Sequence, residues 1–313
     1  MQKIAIIGAN GFIGRHLLSA LTKERVKVLS RKPVEIVATA MTNVEFHHGD
    51  LLQPASLQAF IEDNDIVVNL AYLSQGTQEE NLQAIKNLAE ICVVKKVKRI
   101  LHCSTVVVSG SASENVLNED SPCFPVTDYQ ITKYAIEQLL LSYCAHFEVI
   151  ILRPGAVFGP GGQNLLKLAR DLQHGSRLKN YMKSCLFGLR AMNLVAVDNV
   201  VAVIRFFINA SEINDKNVFF ITDDEDKDNN YRAVESYLLS KFYGRQYLLP
   251  VIKIPEICFR VLSILFNKRN INPKQIYLTK NLPNEFKKVV KFSDALKNFT
   301  DWYVGNNNES FER

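Results

Sequence analysis

One short stretch near the N-terminus constrains this chain more than any other. Ile4-Ala-Ile-Ile7 is an apolar run, Gly8-Ala-Asn-Gly11-Phe-Ile-Gly14 places a glycine at every third position, and Phe12 to Leu21 carries apolar residues at helical spacing. Glycine in such a turn removes the Cβ hindrance, lets a backbone approach a pyrophosphate closely, and brings the helix tight against the strand. The first helical turn adds free N–H groups and a partial positive charge. The segment therefore predicts a dinucleotide phosphate site. The plain alternative is an ordinary strand-to-helix turn with chance glycines.

The alternation continues downstream. Val26–Leu29, Val44–Phe46, Ile66–Leu70 and Arg99–His102 read as strands, and Leu57–Ile61 and Asn81–Val94 as helices. Strands alternating with helices imply βαβ units, hence a parallel sheet covered on both faces. The expected class is α/β, a Rossmann-type doubly wound parallel sheet with a smaller C-terminal α/β substrate lobe. After about residue 155 the pattern loosens. Helices are expected over 164–172 and 200–207, a strand over 219–222, and a polar loop over 223–230. The expected division is an NAD(P)-binding domain over 1–155, continuing in part through 190–222, and a substrate lobe over 156–313. The polar tail 305–313 is expected to fray.

Composition excludes several classes. The chain has 313 residues, 47% hydrophobic and 22% charged, enough for a large core. A net charge of +5 is too small and too dispersed for nucleic acid. The six cysteines show no C-x-x-C spacing and read as small buried residues of a reducing compartment. The histidines form no metal-binding pair, so no metal is expected. No run of about 18 apolar residues predicts a transmembrane helix, and the start of the chain lacks the pattern of a signal peptide. The expectation is a cytoplasmic protein.

The second strand ends Leu29-Ser30-Arg31 with no acidic residue. An acid at this point usually takes the ribose 2′-hydroxyl of NAD. Arg31 is instead placed to pair with a 2′-phosphate, with Arg15 nearby, so NADP is preferred and NAD is the alternative. Asp50, after the small Gly49, is placed to reach the adenine edge.

Tyr129-Gln-Ile-Thr-Lys133 opens a helix that runs on through Ile136, Leu139 and Leu140. The i, i+4 spacing puts Tyr129 and Lys133 on one face. A free phenol, with a pKa of about 10, is a poor acid–base catalyst near neutrality. A neighbouring ammonium is expected to lower that pKa. The same Lys133 is placed to hydrogen-bond the nicotinamide ribose. Alone, the pair is a common pattern that also fits an exposed tyrosine lying along a lysine stem.

These motifs occur together and in order. With them come Gly49-Asp50-Leu51, Val67-Val-Asn-Leu70-Ala71, Asn81 with Asn87, and His102-Cys-Ser-Thr-Val-Val-Val-Ser-Gly110. Leu152-Arg-Pro-Gly-Ala-Val-Phe-Gly-Pro-Gly161 and Asn193-Leu-Val-Ala-Val-Asp198-Asn199-Val200 complete the series. Over residues 3–205 the chain resembles the extended short-chain dehydrogenase/reductase family, in its NAD-dependent epimerase/dehydratase branch. The resemblance implies that Thr105 hydrogen-bonds the reacting carbonyl or hydroxyl, that Tyr129 is the general acid or base, and that Lys133 holds the ribose and tunes Tyr129. It implies that Gly8, Asn10, Gly11, Phe12, Ile13, Gly14, Leu51, Leu70 and Ala71 line the cofactor, with Pro154 against the nicotinamide. It gives Asp198 a supporting role toward the second lobe. The chain departs from the family at Ser109, Ala196 and Ala84-Ile85, so it is not a close copy of the best-known members.

Dehydratases of the branch carry an acidic pair after the catalytic threonine; here Val106-Val107 stand there and cannot move a proton. Keto reduction and epimerisation remain. The resemblance implies a nucleotide-sugar substrate, with Gln163, Asn164 and Arg190 as contacts. Arg190 belongs to a basic cluster with Arg177, Lys179 and Lys183 that also reads as a solvated face. It further implies a homodimer packed through the helices of Asn81 and Tyr129. The apolar stretch 254–266 reads as lobe packing, or alternatively as a hydrophobic-substrate or membrane-surface element. Two rival functions stand beside the nucleotide-sugar reading. One is a reductase of hydrophobic hydroxy or keto compounds, of steroid or flavonoid-reductase type. The other is a non-catalytic NADP-binding regulator, which the presence of both Tyr129 and Lys133 opposes.

Overall fold

The structure is a computed structural model and describes residues 3–31, 42–213, 216–244, 247, 250–252 and 272–308. The first half runs β1 (Lys3–Ile7), α1 (Phe12–Ala20), β2 (Arg25–Ser30), β3 (Val44–His48), α2 (Pro54–Phe60), β4 (Ile66–Asn69), α3 (Gln78–Val94) and β5 (Arg99–Cys103). A 3-10 turn (Val106–Ser109) and β6 (Val116–Leu117) precede α4 (Asp128–Leu141) and β7 (Glu148–Pro154). Then come β8 (Ala156–Phe158), α5 (Leu166–His174), α6 (Arg177–Phe187), β9 (Leu194–Ala196), α7 (Val197–Asn209), β10 (Val218–Ile221), α8 (Tyr231–Tyr243), β11 (Ile276–Tyr277) and α9 (Phe292–Asn308).

Among the described residues one seven-stranded sheet dominates, in the order β10-β7-β5-β4-β1-β2-β3, with every pairing parallel. The doubly wound class expected from the sequence is the one observed. Successive residues of a strand face opposite sides, and both sides are buried here. Ile4 and Ile6 pack with Leu17, Leu18, Val200 and Ile204 of α1 and α7. Ala5 and Ile7 pack with Leu57, Ile85, Leu88 and Ile136 of α2, α3 and α4. Each such Leu or Ile contributes about 1.5–3 kcal/mol by leaving water. The sheet reverses its order between β1 and β4, which opens a crevice beyond their C-terminal ends, where ligands of such sheets bind.

A second apolar cluster joins β8 and β9 to α5, α8 and α9 through Phe158, Leu172, Leu238, Leu296 and Phe299. Buried amides and carboxylates hold its loops. Asn199 donates to Asp223 at 3.3 Å and to the Val290 carbonyl at 3.1 Å, while its own carbonyl accepts from the Val289 and Val290 amides. Asp224 accepts from Asn193 at 2.7 Å, Asn229 at 3.0 Å and the Tyr277 amide at 2.8 Å. The supporting role that the resemblance gives to Asp198 falls to Asn199 instead. Asp198 is exposed in the first turn of α7, where its charge suits the positive end of the helix.

Several boundaries differ from expectation. The strand β7 and the helices α6, α8 and α9 are additions. The tail expected to fray from Gly305 is helical through Asn308. Residues 309–313 lie outside the described residues, as do Lys32 and the apolar stretch 254–266. Among the described residues no helix is long and apolar enough to cross a membrane, and no cluster of His, Cys, Asp and Glu could hold a metal ion.

Candidate active site

The phosphate-binding turn folds as its glycines require. Gly8 sits at φ +87°, and a Cβ on it would meet the Ala71 amide nitrogen at 2.7 Å. A Cβ on Gly14 would meet the Gly8 carbonyl oxygen at 2.5 Å. These contacts press α1 against the β1 and β4 ends, and the Leu70 amide donates to the Ile7 carbonyl at 2.8 Å. Gly11 precedes α1 without any side chain capping the helix. The first N–H groups of α1 therefore face the crevice with their partial positive charge.

On one side of this turn lies a cleft of about 590 Å³, lined by Gly8, Asn10, Gly11, Arg31, Asp50, Leu51, Leu70, Ala71 and Tyr72 among others. Asn10 donates to the Ser30 hydroxyl at 3.0 Å, and the guanidinium of Arg15 donates to the Asn10 carbonyl at 2.8 Å. Arg31 is 66% exposed at the rim, with a guanidinium nitrogen 4.0 Å from the Asp50 carboxylate. Asn87, from α3, donates to the Leu51 carbonyl at 3.0 Å and fixes that part of the wall.

On the other side a second cleft of about 460 Å³ is lined by Phe12, Ile13, Gly14, Thr105, Tyr129, Lys133, Pro154 and Asn164, among others. Gly8, Gly11, Leu70 and Tyr72 line both clefts, so the two are continuous across the turn. The expected catalytic set thus converges. Thr105 caps the 3-10 turn, its hydroxyl accepting from the Val107 amide at 3.3 Å. Tyr129 and Lys133 share a face of α4, whose start is fixed by a capping box between Thr127 and Gln130.

Lys133 is buried, and its ammonium donates to the Cys103 carbonyl at 2.9 Å. That ammonium also lies 5.0 Å from the centre of the Tyr72 ring. Burial holds its pKa below the usual lysine value. The expected lowering of the Tyr129 pKa does not occur. Burial pushes that phenol up to about 12, and the Cys103 thiol and Tyr72 phenol push the same way. The physical reason is the loss of water around the phenol, which disfavours the phenolate, while the Lys133 ammonium is engaged by a carbonyl and a ring face.

Behind the pair lies a buried network that sequence reasoning missed. Glu137 follows Lys133 by one more turn of α4 and binds Arg153 at both carboxylate oxygens, with a closest approach of 2.5 Å. Ser104 donates to the same carboxylate. Glu137, at i+4 from Lys133, and Arg153, in the segment before Pro154, were its visible signal. Tyr72 was missed as well. It directly follows Ala71, and an aromatic residue in that loop was the clue.

The substrate residues divide. Asn164 lines the second cleft and donates to the Val157 carbonyl at 2.7 Å. Gln163 is exposed at the start of α5 and is not part of either wall. Arg190 also lies off both walls, with its guanidinium 5.7 Å from the Phe187 ring centre. Of its expected neighbours, Lys183 pairs with Asp171 at 2.8 Å and Arg177 lies over the Tyr243 ring. The basic cluster is thus largely engaged within the fold.

The residues fit a nicotinamide dinucleotide. An uncapped helix start suits the pyrophosphate, the cleft at Arg31 and Asp50 suits the adenosine, and the cleft at Lys133 and Pro154 suits the nicotinamide riboside. Comparisons with known proteins agree. Residues 4–222 match the model of the NAD dependent epimerase/dehydratase family. The chain is 25% identical over 290 residues to the UDP-glucose 4-epimerase of Vibrio cholerae, covering 86% of this chain and 84% of that one. It is 27% identical over 190 residues to the decarboxylating sterol-4-alpha-carboxylate 3-dehydrogenase of Candida albicans, a match that spans 53% of each chain, about half of that relative's length. Among solved structures, the Bordetella bronchiseptica enzyme WbmG in complex with NAD and UDP superposes with a TM-score of 0.69 at 18% identity, covering 96% of this chain and 94% of that one.

Proposed function

The chain belongs to the NAD dependent epimerase/dehydratase family, and from that membership we propose that it transfers a hydride to or from a keto or hydroxyl carbon of a nucleotide-sugar, as a 4-keto-reductase or a 4-epimerase that prefers NADP. The observation that carries this reading is the make-up of the wall at Thr105 and Tyr129. Val107, Cys103, Ala156 and Val157 stand there, and no carboxylate lines that cleft among the described residues. Elimination of water needs a second acid–base group at the reacting sugar. Hydride transfer needs only one, and Tyr129 supplies it.

When bound, the nicotinamide supplies the hydride or accepts it. The protein's own residues do the rest. Thr105 orients the reacting oxygen, and Tyr129 gives it a proton in reduction or takes one in oxidation. Tyr129 holds its proton at neutral pH, as any phenol does, and a developing alkoxide is basic enough to take it even though burial raises the phenol's pKa. Lys133 directs its ammonium to the ribose hydroxyls and to the Cys103 carbonyl. The reading includes a homodimer packed through α3 and α4 and a reducing, cytoplasmic setting; Cys92, Cys103, Cys123, Cys144 and Cys185 are free thiols.

The direct test is Tyr129→Phe. Turnover should fall by roughly 10²–10⁴-fold while the affinity for NADPH, read by fluorescence, stays within about twofold. Unchanged turnover would show that Tyr129 is not the acid–base group, and a wild type that binds NADPH without any turnover would be a non-catalytic regulator.

A second reading has its own support. Val107, Phe124 and Val126 are all exposed. Phe124 is tied to the 3-10 turn through the Ser109 carbonyl, and Val126 leads into α4. Of these Val107 lines the cleft with Thr105 and Tyr129; exposed apolar residues so placed suit a hydrophobic ketone or alcohol, and the match to the sterol dehydrogenase points the same way. Parallel assays with a 4-keto nucleotide-sugar and a steroid ketone distinguish the two.

A further inference from the structure

Tyr72 touches both members of the catalytic pair. The centre of its ring lies 5.0 Å from the Lys133 ammonium. The Tyr129 ring meets it edge-on, with centres 5.2 Å apart and planes at 87°. The ring thus has a cation over its face and stands T-shaped to a second ring, and both arrangements follow the ring quadrupole. Tyr72 also lines the cleft on both sides of the glycine turn, at the crossing from the adenine end to the nicotinamide end.

The backbone around this ring is firmly held. The Ala71 amide donates to the Asn69 side chain at 3.1 Å. The Leu73 amide donates to the Asn81 side-chain oxygen at 3.0 Å, and the Asn81 side-chain nitrogen donates back to the Leu73 carbonyl at 3.1 Å. The Ser74 amide donates to the Tyr72 carbonyl at 3.1 Å. The loop that carries Tyr72 is thus pinned to the end of β4 and to the first turn of α3. A ring on such a base is a fixed surface, whereas a lysine ammonium swings on a flexible four-carbon stem.

We propose that Tyr72 is a positioning residue for the cofactor. Its ring face holds the Lys133 ammonium where the nicotinamide ribose is bound, and its edge contact sets the orientation of the Tyr129 ring. Lys133 has three donors. One goes to the Cys103 carbonyl, the ring face limits where the others turn, and the cleft receives what remains. The role rests on the proposed function, because it assumes that Lys133 binds the ribose. It is specific to the aromatic ring: an aliphatic side chain of similar size would fill the space without holding the charge.

The test is a double-mutant cycle read by NADH and NADPH fluorescence titration, which needs no substrate. Tyr72→Leu should raise both dissociation constants roughly three- to tenfold, the range of a partly desolvated cation–π contact. Tyr72→Phe, which keeps the ring, should recover most of that loss. On a Lys133→Met background, Tyr72→Leu should change the constants by less than about twofold, since its effect passes through the ammonium. Urea unfolding of each variant sets the folded fraction used in the comparison. The proposal is overturned if Tyr72→Leu binds as the wild type does, if Tyr72→Phe loses as much as Tyr72→Leu, or if the losses of Tyr72→Leu and Lys133→Met multiply. If Lys133→Met alone leaves both constants unchanged, the proposed function fails along with this role. If Lys133→Met weakens binding while Tyr72→Leu does not, only the role of Tyr72 fails and the proposed function stands.

Discussion

At Arg31 and Asp50 two opposite charges share the rim of the first cleft, 4.0 Å apart. Their surface pairing contributes little to stability, which leaves Arg31 available to a ligand. If it reads a 2′-phosphate, Arg31→Ala should weaken NADPH binding roughly tenfold, the loss of one charge-assisted contact of about 1.4 kcal/mol. NADH affinity should stay within about twofold. Equal losses for both cofactors, measured by isothermal titration, would mean that the arginine contributes general field rather than recognition. The residues of the site were legible where chemistry demands a residue type: the glycines of the turn, Thr105, Tyr129 and Lys133. The direction of a side chain was not. Spacing puts Lys133 beside Tyr129, yet only the packed structure shows the ammonium turned to the Cys103 carbonyl and Tyr72. Nor does spacing show the burial of the phenol, which is why its pKa is raised and not lowered.

Among the elements, α4 links chemistry to the core. Tyr129, Lys133 and Glu137 follow one another at one-turn intervals, from the open cleft to the fully buried Arg153 pair. Removing one partner of a buried ion pair leaves the other charge without compensation. Glu137→Gln should therefore lower unfolding stability by about 3 kcal/mol, seen as an earlier urea midpoint with an unchanged slope. A shift of less than about 0.5 kcal/mol, the size of an ordinary surface change, would show that Arg153 finds other partners. Elements were legible where apolar spacing marks the buried face, as in β1, β4 and α3. The helix α6 escaped for the opposite reason. Its buried positions are Asn180, Ser184 and Cys185, while Leu178 and Met182 are exposed, so hydrophobic periodicity points away from the core. By contrast, α9 buries Phe292, Ala295, Leu296, Phe299 and Tyr303 at good helical spacing. The polar residues that end it masked a readable signal.

For the whole molecule, the polar joint that holds Asp224 gives the fold a pH dependence. Burial raises the Asp224 pKa to about 6 from the ordinary 3.8, against the pull of its hydrogen-bond donors. The folded protein then binds this proton more tightly than the unfolded chain does. Its contribution to stability is greatest below the ordinary value and declines as pH rises from 3.8 to about 6. The decline amounts to at most about 3 kcal/mol. Urea midpoints of the wild type and of Asp224→Asn, followed from pH 4 to 7, should converge or cross in that interval; a constant difference would assign no such proton to Asp224. The same joint contains a splice. Ala196 ends a strand of the smaller sheet, and Val197 begins a helix packed on the larger one, with no residue between them. A seam without slack cannot work as a jaw. Crosslinking the two halves across it should therefore hinder ligand entry little.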